Sequence, residues 1–239
     1  MLVYLSLSNS GISDIIRIEK NLNSYVLMSY FYFKDFDVSI FPNKIIDSGA
    51  FTLFSQNKSK IDFDKYTEEY AEFINKYNIE YFFELDIDVL IGLEEVERLR
   101  TKLEKLTRKK CIPVWHVSRG VKKFEEMCNQ YKYIAIGGIV SKEITDYSLL
   151  EKLVNYANKR NVKVHGLGFT KQKWLKKIKF YSVDSITWFG ARFYKFFKFK
   201  ENKIITIPIQ GFRKGSRTKL ILSNYSEWSK FQSYAKLKL

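Results

Sequence analysis

The chain has 239 residues, is 46% hydrophobic and carries a formal net charge of +15. That length suits one large domain or two small ones, and no run approaches the roughly 18 to 20 apolar residues of a membrane span. The opening Met1-Leu2-Val3-Tyr4-Leu5 lacks a basic n-region, so no secretory leader is expected, and the two cysteines, Cys111 and Cys128, are too few for a disulfide framework. Both are expected as reduced core thiols, which places the protein in a cytoplasm.

Residues 2 to 8 alternate loosely and predict a first strand, residues 14 to 21 a short helix, and the aromatic run 25 to 33 a second strand. Lys44 to Asp47 is a short buried strand that stops at a carboxylate and turns on Ser48-Gly49-Ala50-Phe51. Asp62 can cap a helix whose apolar face is Ile61, Tyr66, Tyr70, Phe73 and Tyr77. From there strands and helices alternate. Strands are predicted at 81–86, 111–116, 133–138, 162–166 and 182–185. The helices between them are predicted at 94–106, with Val96, Leu99, Leu103 and Leu106 facing inward, and at 121–131, 147–160 and 171–179.

Strands of about five residues alternating with helices of ten or more predict a parallel sheet. A doubly wound sheet and a (β/α)8 barrel both fit. The number of units and the chain length favour the barrel, and so does the placement of unusual residues. Asp47, Asp86, His116, Gly138, His165 and Asp184 all fall at or near C-terminal strand ends, which in a barrel converge on one mouth.

Carboxylates from three strands at one mouth permit acid/base and nucleophilic chemistry. Each also has a plain structural role open to it: an Asx-turn for Asp47, a solvated strand end for Asp86 and Asp88, a helix N-cap for Asp184. Ser48-Gly49-Ala50 and Gly137-Gly138 allow backbone to approach a ligand closely, and Phe51 is placed to stack on a planar group. Two histidines on different strands, His116 and His165, with Asp47 and Asp86, make a weak metal signature, so neither metal nor cofactor is expected. P-loop, dinucleotide-binding and Ser-His-Asp signatures are missing.

After Trp188 the pattern loosens. Basic residues interleave with aromatics from Arg192 to Lys200, residues 204 to 209 predict a last strand, Gly211 to Arg217 is a basic glycine-punctuated loop, and a closing helix is expected from Ser226 to Leu237. From Arg192 onward there are twelve Lys/Arg against Glu201 and Glu227, so this last fifth of the chain holds +10 of the net +15. Such a concentration suits a polyanion, since neutralising phosphates releases counterions. A lysine-rich compositional bias would also produce it.

Several of these stretches resemble the tRNA-guanine transglycosylase superfamily. Asp47-Ser48-Gly49-Ala50-Phe51 resembles its Asp-Ser-Gly-Gly-Phe/Tyr motif, and Ile136-Gly137-Gly138-Ile139 its Gly-Gly-Leu base-binding loop. Val164-His165-Gly166-Leu167-Gly168 resembles its Met-Gly-Val-Gly strand end, and Ser182-Val183-Asp184-Ser185 lies where the family keeps its nucleophilic aspartate. The order and spacing agree over residues 40 to 190. The form Val-Asp-Ser-x-x-Trp is closer to the phage and bacterial DNA-guanine transglycosylases. The Cys-x-Cys-x-x-Cys…His zinc site of the tRNA enzymes has no counterpart, and neither does their Pro-Thr-Arg.

The resemblance implies an irregular (β/α)8 barrel over residues 1 to 191, completed by a basic segment from 192 to 239 that contacts nucleic acid. It implies exchange of guanine in DNA for a 7-deazaguanine base such as preQ0, with tRNA as the alternative polymer and a catalytically inactive nucleic-acid-binding barrel as the alternative class. Asp184 would attack C1′ and Asp47 would serve as general acid/base. Ser48, Phe51, Asp86, Gly137, Gly138, Ile139, His165 and Gly166 would bind the base, with Arg192, Arg213, Lys214 and Arg217 on the phosphates. The target nucleotide must be flipped or single-stranded to enter a deep mouth.

Overall fold

A computed structural model describes residues 1–7, 16, 23–56, 61–139, 141–193, 195–208 and 217–239. Its centre is a curled, all-parallel sheet of β1 (Leu2–Ser6), β2 (Val26–Ser29), β3 (Lys44–Asp47), β4 (Val114–Trp115), β5 (Tyr133–Ile136), β6 (Lys163–Gly166) and β7 (Ser182–Ser185). The strand order is β3-β2-β1-β7-β6-β5-β4. The segment Tyr81–Glu84 lies between the two edges. Phe82 bridges to Ile46 and Phe83 to Ile112. The backbone bonds are Phe83 N–H to Ile46 O at 2.9 Å and Ile112 N–H to Phe82 O at 2.8 Å. The predicted strands at 81–86 and 111–116 are thus shorter than the apolar runs suggested. Their outer residues curve away to deliver Asp86 and His116.

Period-two alternation splits the core. Tyr4, Ile45, Phe83, Ile112, Val114, Tyr133 and Ala135 pack together on the inner face of the curl. Their neighbours Val3, Leu5, Ile46, Phe82, Trp115, Ile134 and Ile136 face the helices in the larger cluster. The outer layer includes α1 (Tyr30–Phe33), α2 (Ala50–Gln56), α3 (Phe63–Lys76), α4 (Asp88–Ile91) and α5 (Leu93–Thr107). It continues with α6 (Gly120–Gln130), α7 (Tyr147–Asn158), α8 (Gln172–Leu175) and the long α9 (Arg217–Lys238). Cys111 and Cys128 are buried and unpaired, as the sequence suggested. Among the described residues no helix is long and apolar enough to cross a membrane.

Several expectations need correction. The aromatic run 25–33 is a strand only to Ser29, and Tyr30–Phe33 is a helical turn that buries Tyr30 and Phe33. Leu106 is exposed, because Thr107 rather than Leu106 takes the inward position one turn after Leu103. The helix expected at 171–179 is one turn long. The predicted helix at 14–21 lies outside the described residues except for Ile16. The last strand does not enter the parallel sheet: β8 (Lys195–Lys200) and β9 (Lys203–Pro208) form an antiparallel hairpin apart from it. The closing helix starts at Arg217 rather than Ser226, and it packs on β1 and β8. Gln232 Nε2 donates to Val3 O at 2.8 Å and Tyr25 O at 2.6 Å, which ties α9 to two sheet strands. Asn224 bonds both Phe197 N–H and Lys195 O, which holds the hairpin on the same helix.

Candidate active site

The C-terminal ends of the parallel strands surround a cavity of about 740 Å³. Asp47, Ser48, Gly49 and Phe51 line it from the end of β3; Asp86 and Asp88 from the segment after Phe83; His116 from β4; Gly137 and Gly138 from β5; Leu167 and Gly168 from β6; Asp184 from β7. The three strand-end carboxylates therefore do share one mouth.

Asp47 owes its position to the turn behind it. Gly49 has φ +67°, and a Cβ there would strike Ser29 Oγ and the Phe31 side chain, so the turn requires glycine. Gly49 N–H donates to Asp47 Oδ2 at 3.1 Å, so the Asx-turn forms while the carboxylate still lines the cavity. Two tyrosines of α3 fix the strand end: Tyr66 OH donates to Ser48 O at 2.6 Å and Tyr70 OH to Ile46 O at 3.1 Å. Burial pushes the Asp47 carboxyl up to about 7. The charges of Asp86 and Asp184 add to this, and the Gly49 N–H opposes it.

Asp184 is held differently. Its Oδ2 accepts from Ser6 Oγ at 2.7 Å; its Oδ1 accepts from Gly168 N–H at 2.7 Å and lies 3.2 Å from His165 Nε2. The helix-cap role that the sequence left open for it belongs to its neighbour. Ser185 Oγ accepts from Thr187 N–H at 3.0 Å at the start of the 3₁₀ turn Thr187–Phe193.

Across the mouth, Asp86 Oδ1 meets His116 Nε2 at 2.8 Å, and Glu143 Oε2 lies 3.4 Å from His116 Nδ1. Burial disfavours charge on this imidazole, but the hydrogen bond to Asp86 and the charges of Asp86 and Asp88 outweigh it, raising its pKa to about 9. The ring lies over Gly137, where a Cβ would meet its Cε1 at 2.5 Å. Behind this pair is a buried ionic brace. Fully buried Glu84 accepts from Arg100 Nη1 at 3.0 Å, Arg119 Nη1 at 2.9 Å and Val114 N–H at 2.8 Å. Arg119 Nε reaches on to Asp88 at 2.8 Å and holds its carboxyl below the usual range despite burial.

Three expected base-binding residues lie elsewhere. His165 is fully buried and does not line the cavity, so it cannot stack on a ligand there. Its partner across the sheet is Ser182, one inward-facing layer below Asp184. Gly166 faces the helices, where a Cβ would meet the Phe180 ring at 3.0 Å. Ile139 turns into the outer core. Leu167 and Gly168 take the wall position instead. Of the expected phosphate contacts, Arg213 and Lys214 lie outside the described residues, as do the side chains of Arg192 and Arg217.

The sequence reading assigned no site role to Ser6, Glu143 or Gly168. Ser6 had one available signal, a hydroxyl at the end of a strand; Glu143 had none. His116 enters the sequence pattern only as a strand-end residue and a weak metal-ligand candidate. Ligand atoms of Asp86, Asp88 and His116 come within 4.8 Å of one another. A cation among them would face the Arg119 guanidinium, whose Nη2 is 3.9 Å from Asp86, and would have to displace the proton of His116. The donor set therefore fits a divalent metal poorly. Comparison with known proteins found no matching family model and no matching curated protein.

Proposed function

We propose that the chain is a closed, irregular (β/α)8 barrel that exchanges guanine in DNA for a 7-deazaguanine base, through a covalent Asp184–deoxyribose intermediate. The observation that carries this reading is the pairing of two unlike aspartates in one cavity. Asp184 is supplied with hydrogen-bond donors that suit a carboxylate nucleophile, whereas Asp47 is pushed up to about 7, where it can give and take a proton. The bridges of segment 81–84 to both sheet edges support the closed barrel.

In the first half-reaction an Asp184 oxygen bonds to C1′ as the C1′–N9 bond breaks. The electron pair leaves with the guanine, which takes its proton from Asp47. In the second, Asp47 removes a proton from the incoming base, whose nitrogen attacks C1′ and frees Asp184. Both half-reactions need the same group near neutral pKa, and Asp47 meets that need. Asp86 meets the His116 imidazolium through Oδ1, and its Oδ2 suits the N–H groups of a purine edge. Exposed Phe51, Val89 and Ile186 at the rim give apolar surface for neighbouring bases. Lys173, Lys176 and Lys203 line a groove between α8 and the hairpin. It starts just past Thr170, whose hydroxyl bonds the cavity residue Ser185, and it suits a phosphate backbone.

The test is incorporation of radiolabelled guanine or preQ0 into single-stranded DNA, duplex DNA and tRNA, with denaturing gels to trap the protein–DNA adduct. Asp184→Asn should abolish both label and adduct while keeping the wild-type circular dichroism spectrum. Exchange at the wild-type rate in that variant removes Asp184 from the reaction. Label in tRNA alone reassigns the polymer, and guanine release without an incoming base makes the protein a hydrolase.

A further inference from the structure

We propose that His165 is a positioning residue. Its Nε2–H orients the Asp184 carboxylate, and a buried hydroxyl chain from Tyr133 through Ser182 fixes its tautomer. The catalytic half of this rests on the reading of Asp184 as nucleophile; the tautomer does not.

The direction of the chain follows from which atoms can donate. His165 Nδ1 lies 2.6 Å from Ser182 Oγ, and Ser182 Oγ lies 2.5 Å from Tyr133 OH. On the other side Nε2 is 3.2 Å from Asp184 Oδ1, an oxygen that already accepts from Gly168 N–H. A carboxylate oxygen can only accept, so Nε2 carries hydrogen. In the neutral Nε2–H tautomer Tyr133 donates to Ser182, Ser182 donates to Nδ1, and Nε2 donates to Asp184, so each donor has an acceptor. In the imidazolium Nδ1–H would donate to Ser182, Ser182 would turn to Tyr133, and the buried phenol hydrogen would be left without an acceptor among the described groups. Such an orphan is costly in the interior.

Among the described residues the surroundings add no second acid next to the ring. Tyr4 of β1 and Phe83 flank the imidazole, with ring centroids 6.0 and 5.3 Å away, and Tyr81 and Tyr181 flank Tyr133. Among the described residues Asp184 is therefore the one carboxylate in contact with His165.

The arrangement also distinguishes the two oxygens of Asp184. Oδ1 receives two donors and Oδ2 receives one, from Ser6. Oδ2 therefore keeps a lone pair for the bond to C1′, and His165 transfers no proton in that step. It fixes the plane of the carboxylate, much as an aspartate orients the histidine of a hydrolase triad, with the roles exchanged.

Because the chain has 2 histidines, ¹⁵N-histidine labelling gives spectra of two imidazoles, and His116→Gln assigns them. The expected result for His165 is a protonated Nε2 and an unprotonated Nδ1. An Nδ1–H tautomer or an imidazolium at neutral pH overturns the proposal. Kinetics provide the second reading. His165→Gln keeps an amide N–H near the Nε2 position, whereas His165→Asn reaches only Ser182. Misplacing a reacting group by about 1 Å costs on the order of 100-fold, so the Asn variant should lose about that factor in kcat with KM unchanged, and the Gln variant should recover most of it. Equal losses in both overturn the positioning role. If the wild-type protein exchanges no base, the function proposed above fails while the tautomer measurement still decides this one.

Discussion

Two His–Asp pairs of the same composition stand in opposite surroundings, one at the cavity wall and one with its histidine buried beneath it. His116 has a carboxylate at each ring nitrogen, Asp86 at 2.8 Å and Glu143 at 3.4 Å, and is raised to about 9. His165 has a carboxylate at one nitrogen and a hydroxyl at the other, and no solvent exposure. The first arrangement calls for two protons and gives a cation at the cavity wall. The second is satisfied by one proton and gives a fixed donor beneath it. The group at the second ring nitrogen decides what an imidazole beside an aspartate becomes.

The largest effect expected from breaking this contrast comes at the acceptors. Asp184→Asn keeps the shape of its pair but removes the proposed nucleophile, and base exchange should fall by on the order of 10⁴-fold or more, as measured by label incorporation. On the other side, Arg119→Leu removes the brace behind Asp86 and Asp88 and leaves buried Glu84 with one cation fewer. Breaking a buried pair in this way costs about 3–5 kcal/mol, which chemical denaturation would register; a loss below 1 kcal/mol would show that the brace is dispensable.

Asp47→Asn should separate stability from activity. The Asp47 carboxyl rises from 3.8 to about 7 on folding, so the folded state binds more protons than the unfolded state between those values. Stability therefore declines as pH rises through that window, by at most about 4 kcal/mol. The Asn variant should lose exchange and become more stable than wild type at pH 8, with the advantage vanishing near pH 4. An unchanged pH dependence would remove the buried-acid argument.

The smallest effect is expected at His116. Its pKa rises from 6.5 to about 9 on folding, so its contribution is complete below pH 6.5 and is lost as pH rises through 9. His116→Gln should therefore cost at most about 3 kcal/mol at pH 6 and nothing above pH 10, by thermal denaturation at a series of pH values. A cost independent of pH would mean that packing over Gly137 matters more than charge.

Much of the scaffold was legible in the chain. The strands at 44–47, 133–136, 163–166 and 182–185 fall inside or on the predicted runs, because strands buried on both faces read as short apolar runs closed by polar residues. The runs at 81–86 and 111–116 were read too long, since the Glu84 carboxylate rather than a backbone carbonyl takes the Val114 N–H and the ladder ends there. Residues 204–209 read as a last strand and 192–200 only as a basic aromatic run, because an alternating pattern is the same in a hairpin as at the end of the main sheet; only the partners differ.

The sequence by itself determined which chemical groups stand at the strand ends, and that acids, glycines and histidines gather there. Tertiary structure decided what each one faces. Register made the difference at β6 and β7: His165 pairs with Ser182 and Gly166 with Val183. The histidine thus sits on the inner face one layer below Asp184, and the glycine faces the helices. A one-residue change in that pairing would exchange the two faces, and no local pattern within either strand specifies the offset between them. The same holds for the cap at Ser185, whose hydroxyl takes the turn and leaves Asp184 to the cavity.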